Sequence, residues 1–235
     1  MISKIFKNEW FPRVFPFLIF VFFIAIESLI DMVAKYVPQF EKFAEYDSYI
    51  FYPIKTVLVG FFLVLFWKRY TELGTKNKFL WENLFIGLLT GFTVFVLWIN
   101  MDWKFATIGK TKEFNPNVLG MSLISVVLVS FRLIGASLIV PVFEELFWRS
   151  FVLRYIVNPK FENVPLGKFT WMSFIVTSIL FGLEHNLWLA GIMAGVAYTL
   201  LFYYTRSLLT VILAHGVTNL LLGVYVVSTE NWQFW

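Results

Sequence analysis

Six polar side chains interrupt segments that are otherwise apolar. The run "VPVFEELFWRSFVL", residues 140 to 153, carries Glu144, Glu145 and Arg149, "FGLEH" ends on His185, and "HGVTN" runs from His215 to Asn219. His185 and His215 are the only histidines of the chain. Ionisable residues inside a membrane are costly, and they are functional candidates by default. On a helix Glu145 and Arg149 stand at i and i+4 with the acid first, the favourable order for an ion pair. Glu144 lies about 100° further round, and one arginine does not require two carboxylates.

An acid, two imidazoles and an amide that converge in one polar cavity suit the activation of water. Glu144 can act as general base, an imidazole can polarise the water, and a second His with Asn219 can donate hydrogen bonds to a developing oxyanion. The same atoms of Glu144, His185 and His215 are reasonable ligands for a divalent metal such as zinc. The i,i+4 pair is His-Asn, however, and the HExxH pattern is absent. Glu184 could orient His185, act as a second acid, or simply sit at the water interface.

The elements that must position these groups are membrane helices. Of the 235 residues 59% are hydrophobic, 21% aromatic and only 14% charged, against roughly 25% charged in soluble domains. The 29 Phe and 10 Trp suit lipid-facing helices and interfacial belts. The net charge of +4 sits mainly in short connections, which points to topology and membrane lipid headgroups as partners and not to nucleic acid. With no cysteine, disulfides, thiolate metal sites and cysteine nucleophiles are excluded.

A membrane-spanning helix needs about 20 apolar residues. Stretches free of charge run over 83–101, 186–205 and 207–229; broken or flanked ones cover about 14–30, 50–67, 118–140, 142–157 and 169–184. The sequence therefore predicts an all-α polytopic protein of about eight transmembrane helices with an intramembrane polar cavity. It reads as one integral membrane domain over 1–235, with the motifs in a core at about 118–228. Pro141 is expected to kink the chain, or turn it re-entrantly, into the Glu-Glu segment. Lys4, Lys7 and Arg13 precede the first span like a signal peptide, but no small-residue cleavage site follows, so the helix is expected to be retained. Those charges with Lys68, Arg69, Lys76 and Lys78 favour a cytoplasmic N-terminus, against Lys104, Lys110 and Lys112.

The three motifs in order resemble the CAAX-protease and bacteriocin-processing (CPBP, or Abi) family of intramembrane proteases, which includes the type II CAAX prenyl endopeptidases. Its pattern EExxxR, FxxxH, HxxxN is matched by Glu144-Glu145 to Arg149, Phe181 to His185 and His215 to Asn219. The wording "VPLGKFTW", "LFGLEHNLWLAGIMAGVAY" and "LAHGVTNLLLGVYV" is also similar to a bacterial branch of CAAX prenyl protease-related proteins associated with exosortase sorting systems. The resemblance implies an endopeptidase with its site inside the bilayer, located in the inner membrane if the source is bacterial. Glu144 and His185 would activate water, His215 and Asn219 would hold the oxyanion, and Glu145 with Arg149 would support them. The substrate would be a peptide or membrane protein, lipidated or bearing a sorting signal, and the glutamate-water mechanism requires no metal.

Three other readings compete. Ser122 in "GMSL" with a later histidine is the minimum of a rhomboid-type serine protease, but it leaves Glu144, Arg149 and Asn219 unemployed. Glu27 and Arg132 add charges within spans and would suit a proton-coupled transporter, or they lie near helix ends and pair. A non-catalytic immunity or scaffold protein could also share the fold.

Overall fold

The computed structural model of the chain describes residues 8–74, 81–109, 113–120 and 123–235. Lys4, Lys7, Lys76, Lys78, Lys110, Lys112 and Ser122 lie outside the described residues. Within them the protein is all-helical: α1 (Phe11–Ala34), α2 (Glu41–Leu65), α3 (Trp81–Trp98), α4 (Leu123–Val157), α5 (Trp171–Leu183), α6 (Trp188–Thr205) and α7 (Leu208–Thr229). Two starts carry side-chain caps, Thr170 accepting from Ser173 N–H (3.2 Å) and Ser207 from Thr210 N–H (3.3 Å). The partners pair as α1 with α2, α3 with α7 and α5 with α6, and α4 threads between α1, α2 and α7. Large apolar residues such as Phe22, Val57, Val64, Phe85 and Leu123 stay exposed on the outside, as lipid-facing positions do.

Seven described helices replace the expected eight, and six are long and apolar enough to cross a membrane. The runs 118–140 and 142–157 are one continuous helical run, α4, and Pro141 does not turn the chain back on itself. Just before the proline, Gly135–Ile139 form a wide π-type turn, in which Val140 N–H bonds to Gly135 O. The N–H that Pro141 lacks would have met Ala136 O in this register, or Ser137 O in an ordinary α turn. Both carbonyls are turned to use: Asn219 Nδ2 donates to Ala136 O at 2.8 Å. Ser137 O faces Gly216, where a Cβ would lie at 2.7 Å, so only glycine lets the α7 backbone come this near. A second wide turn, Leu146–Val152, follows the two glutamates.

α5 departs from expectation in length. Its 13 residues cover roughly 20 Å at 1.5 Å per residue, short of a hydrocarbon layer of about 30 Å. The turn to α6, which carries Glu184 and His185, is therefore set against the interior of the bundle.

One polar staple closes the other end. Arg13 on α1 donates from Nε and Nη2 to the two oxygens of Glu72 (2.8 and 2.7 Å), and Ser150 on α4 donates to the same carboxylate. Glu72 lies in the connection after α2 and is buried. Burial alone would push its carboxyl up, but the hydrogen bonds and charge of Arg13, with the Ser150 hydroxyl, outweigh this and hold it below the usual range. Its contribution to stability is thus full above the ordinary carboxylate range and is lost as pH falls below it. Glu72→Ala, which leaves Arg13 only Glu9, the Ser150 hydroxyl and backbone carbonyls as partners, is expected to destabilise the protein by about 1–3 kcal/mol near neutral pH. Thermal unfolding in detergent should show the deficit shrinking as the buffer is acidified towards pH 3, and an unchanged deficit would contradict this account.

Candidate active site

The wide turn before Pro141 sets the facing of the site. Twelve residues of regular α-helix would turn Glu144 about 120° away from Arg132, whereas the wide turn absorbs one residue and leaves the two about 20° apart. Both accordingly line one cavity of about 380 Å³, together with His185, His215, Asn219 and Tyr198.

Glu145 and Arg149 form the expected pair: Arg149 Nη1 lies 3.1 Å from Glu145 Oε1, and both side chains are fully buried. The same oxygen also takes His215 Nδ1 at 2.9 Å. Glu145 is therefore the hub between α4 and α7, a connection that spacing on a single helix could not show. Arg149 Nη2 donates to Gly195 O on α6 (3.3 Å), and its guanidinium lies over the rings of Phe181 (4.4 Å) and Tyr198 (5.6 Å). His215 stacks on Tyr198, centroids 5.0 Å apart, and Tyr198 donates to Thr218 Oγ1 (2.8 Å). With Nδ1 turned to Glu145, the Nε2 of His215 faces Glu144 Oε2 at 3.9 Å.

Glu144 is buried, and its Oε2 has no hydrogen-bond partner among the described residues. His185, in the turn after α5, sits beside Phe181 and Trp98 and uses Nδ1 to donate to Phe181 O at 2.8 Å. A carbonyl only accepts, so Nδ1 carries the proton and Nε2 is left with a lone pair. Asn219 spends one amide N–H on Ala136 O and retains a second.

Glu184 does not orient His185, since Phe181 O does so. It accepts from Trp148 Nε1 (2.9 Å) and is brought to Glu144 and His185, with ligand atoms of the three within 4.8 Å of one another. Two hydrogen bonds of about 2.8 Å to one water set their partners about 4.6 Å apart; zinc ligands at about 2.0–2.1 Å lie about 3.4 Å apart. The spacing accommodates a water as it stands. The unpartnered Glu144 oxygen, with a second carboxylate and an imidazole, is also a fitting donor set for a divalent ion. Among the described residues that set is Glu144, Glu184 and His185, with His215 committed to Glu145. Trp148 and Tyr198 were not legible as site residues, since an aromatic in an apolar helix reads equally as belt or core.

Residues 126–221 match the family model described as type II CAAX prenyl endopeptidase Rce1-like. The chain is also 24% identical, over 245 aligned residues, to UPF0177 protein YaiH of Lactococcus lactis subsp. lactis (strain IL1403), covering 98% of this chain and 97% of that protein. No solved structure matches it. The resemblance read from the three motifs is borne out, and all three fall inside the matched stretch. With six helices long and apolar enough to cross a membrane, the chain is a multi-pass membrane protein, and its residues 126–221 are similar to type II CAAX prenyl endopeptidases.

Arg149→Leu leaves Glu145 buried without its cation and should cost about 3–5 kcal/mol. Asn219→Leu, which strands one backbone carbonyl, should cost about 1–3 kcal/mol. Denaturation in detergent measures both, and the reverse order of severity would refute the hub assigned to Glu145.

Proposed function

We propose that the chain is an intramembrane endopeptidase that cleaves a peptide bond of a membrane-associated substrate with water activated by Glu144 and His185. The observation that supports this most is the meeting of an unpartnered Glu144 oxygen with His185, beside His215 and Asn219, in one mainly apolar cavity. The three motifs lie in the stretch that matches Rce1-like type II CAAX prenyl endopeptidases, which favours a peptide or membrane-protein substrate, lipidated or sorting-signal-bearing. The inner membrane is the proposed location if the source is bacterial.

In this reading a water sits between Glu144 and His185 Nε2. Its oxygen attacks the scissile carbonyl carbon while Glu144 takes its proton. The carbonyl π pair becomes an oxyanion, held by the free amide N–H of Asn219 and by His215 Nε2 in the imidazolium form, whose charge Glu145 offsets. Collapse re-forms the carbonyl and breaks the C–N bond, and the proton held by Glu144 passes to the leaving amine. Glu145 and Arg149 act through His215 as positioning residues. A divalent metal such as zinc would be held by Glu144, Glu184 and His185 and would supply Lewis-acid polarisation of the water.

Glu144→Gln should lower cleavage by at least about 100-fold while the protein still inserts and folds, whereas Ser122→Ala should change nothing. Proteomics of membrane fractions carrying wild type or Glu144→Gln reads activity and substrate together. Full activity of Glu144→Gln would overturn the mechanism, and proton flux in liposomes without peptidase activity would favour a transporter. A chelator series on purified protein separates the two forms of water activation: loss restored by zinc assigns the metal, and no change assigns the metal-free route.

A further inference from the structure

The same cavity has a second polar end, away from Glu144. Lys55 on α2 and Glu27 on α1 line it and pair with each other at 3.1 Å. Arg132 on α4 also lines it, but among the described residues no carboxylate pairs with its guanidinium, and its Nε is shut off from solvent without a hydrogen-bond partner. Aromatic faces surround it instead, with Tyr52 at 4.3 Å, Phe114 at 5.1 Å and Trp235 at 6.0 Å. Rings over the face of a guanidinium hold it in place and leave its edge, where the N–H donors point, for an acceptor. The planar fork of donors matches a carboxylate.

We propose that Arg132 is a specificity-determining residue that binds a carboxylate of the substrate peptide, at a fixed reach from the bond that is cut. This rests on the endopeptidase reading above. Arg132 and Glu144 share a face of α4 three turns apart, roughly 16 Å at 5.4 Å per turn, which an extended peptide spans in about five residues at about 3.3 Å each. The carboxylate is either the C-terminus of the substrate or an acidic side chain at that distance. A C-terminal carboxylate would confine cleavage to a short distance from the chain end.

The test uses full-length protein in phosphatidylcholine nanodiscs and three degenerate pools of apolar decapeptides: free C-terminus, C-terminal amide, and amide with one glutamate. Binding to Glu144→Gln protein, read by thermal shift, is independent of turnover, so a failure of the protease reading leaves this measurement intact. The expected result is at least tenfold tighter binding of the free-acid pool, or of the glutamate pool, than of the plain amide. A preference for the first assigns the C-terminus, and a preference for the second an acidic side chain. Arg132→Gln in the same background should bring the ratio near one, and Arg132→Lys, which keeps the charge and guards against a folding artefact, should retain part of it. With wild-type protein, mass spectrometry should place cuts about four to six residues before the carboxylate. Equal binding of all three pools, binding of none, a preference that survives Arg132→Gln, or stabilisation by phosphatidylglycerol alone would overturn the proposal, the last making Arg132 a lipid-headgroup site.

Discussion

One carboxylate oxygen organises this molecule. Glu145 Oε1 takes both Arg149 and His215, at 3.1 and 2.9 Å, in a place that water does not reach. Desolvating two charges costs several kcal/mol apiece unless geometry and further hydrogen bonds repay it. That requirement forces the neighbours into position: Arg149 draws in the Gly195 carbonyl on α6 and the Phe181 face on α5, and Glu145 draws in α7 through His215. Well-packed apolar residues could hold four helices together at least as tightly. What the charged hub adds is direction, because it fixes which edge of the His215 ring looks into the cavity.

Around this hub the fold brings polar groups inward by departing from regular spans. α5 stops after 13 residues, so its C-terminal turn delivers His185 and Glu184 beside Glu144. The wide turn before Pro141 leaves backbone carbonyls over, and Asn219 answers one of them while remaining on the cavity wall. Asn219 thus serves the backbone with one N–H and the cavity with the other. This joins the stability of α4 to the polarity of the site.

The legible part of this design was local. Charge-free runs located α3, α6 and α7 closely, and helical spacing paired Glu145 with Arg149, because both depend only on neighbours along the chain. Of the kink or re-entrant turn expected at Pro141, the re-entrant turn does not form; the rule that proline interrupts a helix assumes its freed carbonyls find nothing, and here α7 supplies both an amide and a glycine gap. Residues 169–184 read as a full span because apolar composition does not report where a helix stops. Glu184 was left between interface and site, and its Trp148 partner is 36 positions away. The ring cage of Arg132 was beyond reach for the same reason, drawing on residues from 52 to 235.

The π-type turn at Gly135–Ile139 has a consequence for how the chain tolerates changes in length. Removing one residue there would let an ordinary helix form and would relieve the odd hydrogen bonding. Eleven regular steps of about 100° leave Arg132 and Glu144 about 20° apart, the same facing that twelve steps and the wide turn give, so both would keep lining the cavity. What would go is the backbone carbonyl left over for Asn219. A deletion elsewhere between Arg132 and Glu144, with the wide turn kept, would instead swing Arg132 about 100° about the helix axis. The wide turn is thus a spacer in angle, carrying one residue more than the facing of the two ends requires.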